Sequence, residues 1–231
     1  MKKSGKKNSI VIILLVASLF SFSSCLTSKH LDNWVAEQYN HELPKPNKKK
    51  KQEIDVNSAM TAKSPAISTT FHKRDKLIPL LFYWKFNHRQ ICSLNPAIPV
   101  TNFTNSINTI PTKALIEKLN GRKLELTVEE APATFSIVIK ENMIWLIYAF
   151  SWAKVYIEPD NKDLVVNYKL IDGGQPTKTG TITIKNTEQN RGIRFFQSWT
   201  SATTEYLASY NLNITNMTKS LVSQLTDEVS Q

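Results

Sequence analysis

Cysteine is scarce in this chain of 231 residues: Cys25 and Cys92 are the only two. Two thiols make no disulfide framework, so stability must come from an apolar core. Glycine is also sparse, at six residues, which argues against a small, tightly turned barrel. The four histidines, His30, His41, His72 and His88, do not stand at metal-ligand spacing with one another or with Cys or Asp. No Gly-rich phosphate loop, nucleophile elbow or Ser-His-Asp order is present. Glu129 and Glu130 are adjacent, and neighbours on a strand face opposite sides, so they do not converge as an acid/base pair. The expectation is therefore no catalytic residue, no metal and no cofactor, hence a non-enzymatic protein. Hydrophobic residues make up 41% and charged residues 21%, a globular composition.

No apolar run reaches the roughly 20 residues that a spanning helix needs. The longest mostly apolar stretch, Ile10 to Phe22, is thirteen residues. It follows a basic start with Lys2, Lys3, Lys6 and Lys7, and it ends in Phe22-Ser23-Ser24-Cys25. That order is a signal peptide over 1–24. Small residues before a cysteine resemble the lipobox of bacterial lipoproteins, with Phe22 where that pattern usually has Leu, Val or Ile. The resemblance implies cleavage before Cys25 and a thioether-linked diacylglyceryl group on its sulfur. It also implies acylation of the new amino terminus. Each buried methylene contributes about 0.8 kcal/mol, so two or three chains hold a protein on a membrane where one does not.

The formal net charge of +10 belongs partly to the leader, which carries four of the 29 basic residues and none of the 19 acidic ones; the remainder has net charge +6. Much of that excess is Lys45 and Lys48 to Lys51, beside Pro44 and Pro46. This suits a tether near anionic head groups better than a nucleic-acid site, and no nucleic acid is expected.

Three segments follow from the pattern: the signal peptide at 1–24; a lipidated N-terminus, short helix and flexible Lys/Pro/Ser linker at 25–75; and one globular domain at 76–231. Leu31, Trp34 and Val35 mark one face of a helix over 26–40, with Ser28 as its cap. Residues 42–70, rich in Pro, Lys, Ser and Thr, read as a solvated linker of about 40 residues with its flanks. Leu77 to Phe86 reads as one buried strand and 87–110 as a long connection with turns at Asn95-Pro96 and Ile98-Pro99. A helix spans Thr109 to Asn120, capped by Thr109, stopped by Gly121 and buried through Leu115, Ile116 and Leu119.

From Arg122 the period becomes two. Leu124, Leu126 and Val128, then Phe135, Ile137 and Ile139, mark two strands. A long strand or bent pair covers Met143 to Ile157, with Ser151 near the break. Leu164 to Leu170 and Thr179 to Ile184 flank the hairpin turn Asp172-Gly173-Gly174. Phe196, Trp199, Thr203, Tyr206, Tyr210, Ile214, Met217, Leu221 and Leu225 step by three and four along a helix of nearly 30 residues, with asparagines near 211–216 as a point of weakness. The fold class is α+β: an antiparallel sheet of about five to six strands packed on a long C-terminal helix and a shorter one.

Aromatics are concentrated on the strands, and Trp84, Trp145, Trp152 and Tyr156 are the candidate binding residues. Cys92, between Ile91 and Leu94, reads as a buried thiol. The stretches 79–84 (PLLFYW), 119–126 (LNGRKLEL) and 178–184 (KTGTITI) resemble an uncharacterised lipoprotein family of Bacteroidota, which brings no activity with it. The element order is more distantly similar to the auxiliary lipoproteins of ABC-type envelope transporters, which act by binding partner proteins. With no acidic run after Cys25, the implied address is the outer membrane, lipid-anchored and facing the periplasm. The expected role is an accessory, partner-binding module; the alternative is a glycan- or lipid-binding lipoprotein using an aromatic sheet face.

Overall fold

The computed structural model describes residues 26–47, 50–61, 64–80, 82–146 and 148–230, with the backbone alone at 76 and 77. The leader and Cys25, and with them the expected lipidation, lie outside the described residues. Among the described residues four helices and nine strands follow in chain order: α1 (Ser28–Gln38), β1 (Ile54–Ser58), β2 (Ser68–Leu80), β3 (Tyr83–Leu94), α2 (Ala97–Thr109), α3 (Lys113–Leu119), β4 (Lys123–Glu130), β5 (Thr134–Trp145), β6 (Ala149–Pro159), β7 (Leu164–Asp172), β8 (Gln175–Ile184), β9 (Arg191–Gly192) and α4 (Trp199–Glu228).

The class is α+β with mostly antiparallel sheets, and the long C-terminal helix packs on both of them. The strands from 122 onward do not form one meander. They divide between a four-stranded sheet, order β1-β4-β7-β8, and a five-stranded sheet, order β2-β3-β5-β6-β9. From β4 onward the chain switches sheet after β4, after β6 and after β8. Asp160 clips the first two of these crossings together, its carboxylate accepting from the N–H groups of Ala133, Thr134 and Lys162 at 3.0–3.1 Å. Tyr210, fully buried on α4, donates to the Pro132 carbonyl at the first crossing, 2.7 Å.

Each sheet has an apolar face because its sequence alternates. On β4 and β7 the buried residues are Leu124, Leu126 and Val128, then Leu164, Val166, Tyr168 and Leu170. Gly173 and Gly174, both at positive φ, close the β7–β8 hairpin. The five-stranded sheet buries Cys92, Phe135, Ile137 and Ile157. Helix α4 bridges the two: Tyr206 meets Phe135 at a ring distance of 4.8 Å, while Glu228 at its far end meets Tyr168 and Lys178 of the other sheet. The expected stripe is buried from Thr203 to Leu225, but Phe196 precedes the helix and is 96% exposed. The helix does not break at its asparagines. Asn211 accepts from Asn102 and Asn213 donates to Asn186, tertiary bonds that offset their low propensity.

Five further expectations are corrected. The stretch 42–70 is not simply a solvated linker: β1 pairs in parallel with β4, Ile54 and Ile67 are buried, and β2 begins at Ser68. The Lys51 ammonium donates to the carbonyls of Ile107 and Ile110 and to the Thr112 hydroxyl, capping the last turn of α2, so one of the expected tether lysines is a structural group. The stretch 87–110 continues β3 and then forms α2. Pro96 and Pro99 stand at its start, where missing N–H groups cost nothing, and Asn95 accepts from the Ala97 N–H. Thr109 ends α2 instead of capping α3. Pro111 forces Ile110 into extended backbone, and α3 starts two residues later, ending at Asn120 and Gly121 in left-handed conformation. Leu77 to Phe86 is not one strand but the end of a hairpin, β2 to β3, and β5 ends at Trp145 with β6 starting at Ala149, so the break is not near Ser151.

Helix α1 forms as expected, with Thr27 in place of Ser28 as its cap, and it is part of the body: Leu31 and Val35 are fully buried. The Asp32 carboxylate accepts from Ser68 (3.1 Å) and Thr70, and Trp34 donates to the Thr200 carbonyl.

Candidate binding surface

The five-stranded sheet is longer than the core that covers it. Its strands β2, β3, β5 and β6 run past the helices as a four-stranded arm of two hairpins, both turning at the same end. From buried Gln90 to Tyr83 at the tip is seven residues, about 23 Å of strand. A bulge in β2 between Arg74 and Lys76 marks the base of the arm; such bulges sharpen local twist and bend.

Register assigns the arm's side chains to faces. On the outer face, away from the helices, the first row at the tip is Leu80, Tyr83, Ile144 and Phe150. The second is Ile78, Lys85, Asn142 and Trp152; the third includes Asn87, Lys140 and Lys154. The Tyr83 hydroxyl donates to Asn142 Oδ1 at 2.7 Å. Tyr83, Lys85, Asn87, Lys140, Asn142, Trp152 and Lys154, with Phe86, border an open trough of about 620 Å³. Below it the Lys140 ammonium stands 5.3 Å from the centre of the Tyr156 ring. Arg89 then pairs with both Asp75 and Glu158. Among the described residues, Lys85, Lys140 and Lys154 have no carboxylate within salt-bridge distance, so the trough keeps three uncompensated positive charges.

The inner face of the arm carries Trp84, Met143 and Ser151 in one row and Phe86, Glu141 and Ala153 in the next. A file of rings, Phe86, His88 and His72, leads from it toward the body at spacings of 6.2 and 5.5 Å. It reaches Gln90, whose side-chain oxygen accepts from Ser28 at the start of α1. Ser28 lies level with Gln90, and Asp32 one to two rows deeper, so α1 points its N-terminus at the arm.

The four candidate aromatics are therefore not one platform. Trp84 and Trp145 belong to the inner face, Trp152 and Tyr156 to the outer. Trp145 and Trp152 are about half exposed, Trp84 is half-buried, and Tyr156 is buried under Lys140. The sequence reading missed the lysines of the trough. Their signal was present: Lys140 and Lys154 are equidistant from the β5–β6 turn, hence directly paired and on one face.

Groups with displaced pKa values lie elsewhere. Burial pushes the fully enclosed Cys92 thiol up to about 11, with hydrogen bonds from Thr70 and Ser68 opposing. Burial likewise raises the Tyr206 and Tyr210 phenols in the core and the Glu188 carboxyl near the middle of α4. These groups lie close enough together to raise one another, in the body and away from the trough. Among the described residues no group of three or more His, Cys, Asp or Glu side chains stands together, and no helix is long and apolar enough to cross a membrane. Comparison with protein-family models, curated proteins and solved structures finds no match to this chain.

Proposed function

We propose that this chain is an envelope lipoprotein, held by acyl chains on Cys25, that works as a binding module and carries out no chemistry of its own. The outer membrane with the body facing the periplasm is the address this reading favours. The supporting observation is the arm. Among the described residues, seven of the eleven exposed large apolar side chains fall on its end, from Leu80 to Phe82 and from Trp145 to Trp152. Exposed apolar area costs solubility, so a patch this concentrated marks a surface with something to bind. The other sheet gives a contrast: the outer face of β4, β7 and β8 is Glu125, Thr127, Asn167, Lys169, Thr179 and Thr181, an ordinary solvated sheet face.

The body also changes how such a module would work. Because α1 packs directly on the sheets, an anchor at Cys25 leaves one or two residues before the fold starts, not a long tether. The arm then stays near the bilayer. The trough of Tyr83, Lys85, Lys140, Asn142, Trp152 and Lys154 favours an acidic ligand, a lipid or a glycan, as the alternative to a protein partner.

A photo-crosslinking residue at Tyr148, compared with one at Thr181, tests the arm in the native host. Adducts specific to position 148 are expected. Equal labelling at both positions counts against the arm as the working surface.

A further inference from the structure

We infer that the tip of the arm docks in the headgroup region of an anionic lipid surface, an inference that rests on reading the arm as the working surface. The two hairpin turns lie side by side, joined by a hydrogen bond from the Trp145 N–H to the Phe82 carbonyl at 2.8 Å. The sequence from 77 to 84 and from 142 to 153 contains no charged residue; Lys76 and Lys85 bound the first stretch, and Glu141, next to Lys140, and Lys154 bound the second.

Charge and depth agree with a bilayer interface. Row by row from the tip, the outer face passes from apolar (Leu80, Phe150) through mixed (Lys85, Trp152) to basic (Lys140, Lys154). Phe82 leads Lys85 by three residues, about 10 Å, the depth to which interfacial elements bury their apolar side. Trp and Tyr favour this zone because one end of each ring system is apolar and the other polar. The three lysines without carboxylate partners meet anionic head groups without first breaking an ion pair.

Shape favours lipid over protein. The exposed side chains surround the tip: Leu80 and Phe150 on one face, Trp145 on the other, Phe82 and Tyr148 on the turns. A convex knob that is apolar on all sides needs a deep pocket in a protein partner, whereas a fluid interface closes around it. The N-terminus of α1 points toward the same end of the sheet.

The test uses the full chain with vesicles of phosphatidylcholine containing phosphatidylglycerol, and with pure phosphatidylcholine, each bearing bromine on the acyl chains. Attachment through the N-terminus is common to all samples, so the readout is placed on the arm: quenching of tryptophan emission in the native chain minus that in Trp145→Phe. Quenching of the Trp145 component in anionic vesicles, and its absence in neutral ones, is expected. The variant Lys85→Glu, Lys140→Glu, Lys154→Glu should need about a hundredfold more anionic lipid for the same quenching, at roughly a fivefold loss per lysine. No quenching in anionic vesicles overturns the inference, as does equal quenching in both. If quenching fails while the crosslinker at 148 still captures a protein, the lipid inference falls and the arm remains a binding surface. If both fail, the reading of the arm falls as well.

Discussion

The two ends of the five-stranded sheet are built from the same strands and obey opposite rules. At the body end, Cys92, Phe135, Ile137 and Ile157 are buried under α1 and α4. Seven to ten residues along the same strands, Leu80, Phe82, Trp145 and Phe150 are each more than half exposed. Apolar content is high at both ends; what differs is whether another element covers it. The lesson is that the body carries stability and the arm does not, so substitutions at the two ends should separate folding from binding.

The largest effect should come from removing a buried side chain at the body end. Leu31→Ala leaves a cavity between α1 and the sheets and should cost about 3 kcal/mol in urea unfolding. A cost under about 0.5 kcal/mol would show that α1 is not part of the cooperative body, and the long-tether reading of 25–75 would return. Tyr210→Phe strands the Pro132 carbonyl at the crossing between sheets without its donor; about 1–2 kcal/mol is expected from the same measurement.

A smaller effect has a pH signature. Burial raises the Glu188 carboxyl above its unfolded value, against the pull of Arg191, and its Oε2 has no partner. The folded state therefore holds this proton more tightly than the unfolded chain does. The resulting stability is full below about pH 4, near the unfolded value, and is lost as pH rises through the folded one. Glu188→Gln should flatten that slope and raise the melting temperature at neutral pH. An unchanged pH profile of melting would remove Glu188 as its source.

Much of the body was legible because period and packing agreed there. The stripe from Thr203 to Leu225 and the alternation of Leu124, Leu126 and Val128 report burial directly, since one face of each element is covered. The arm was misread for the converse reason. Leu77 to Phe86 looks like a buried strand because sequence cannot tell an apolar segment that is covered from one that projects, and no Gly, Asn or Asp stands between β2 and β3 to mark a turn. Strand β1 was missed because only Ile54 and Val56 alternate, too short a pattern to stand out from its Lys- and Ser-rich surroundings. The partition into two sheets depends on Asp160 and Tyr210, single residues whose partners are distant in sequence. Of the candidate site, the aromatics were visible, while their division between faces needed the register.

Urea unfolding of a variant carrying Phe82→Ser, Tyr148→Ser and Phe150→Ser asks whether the arm's apolar end belongs to the fold. Three exposed sites should together change the unfolding free energy by no more than about 1 kcal/mol and leave its urea dependence as it was. A loss of about 3 kcal/mol or more would mean that these side chains are core, and that no surface is being held free for a partner.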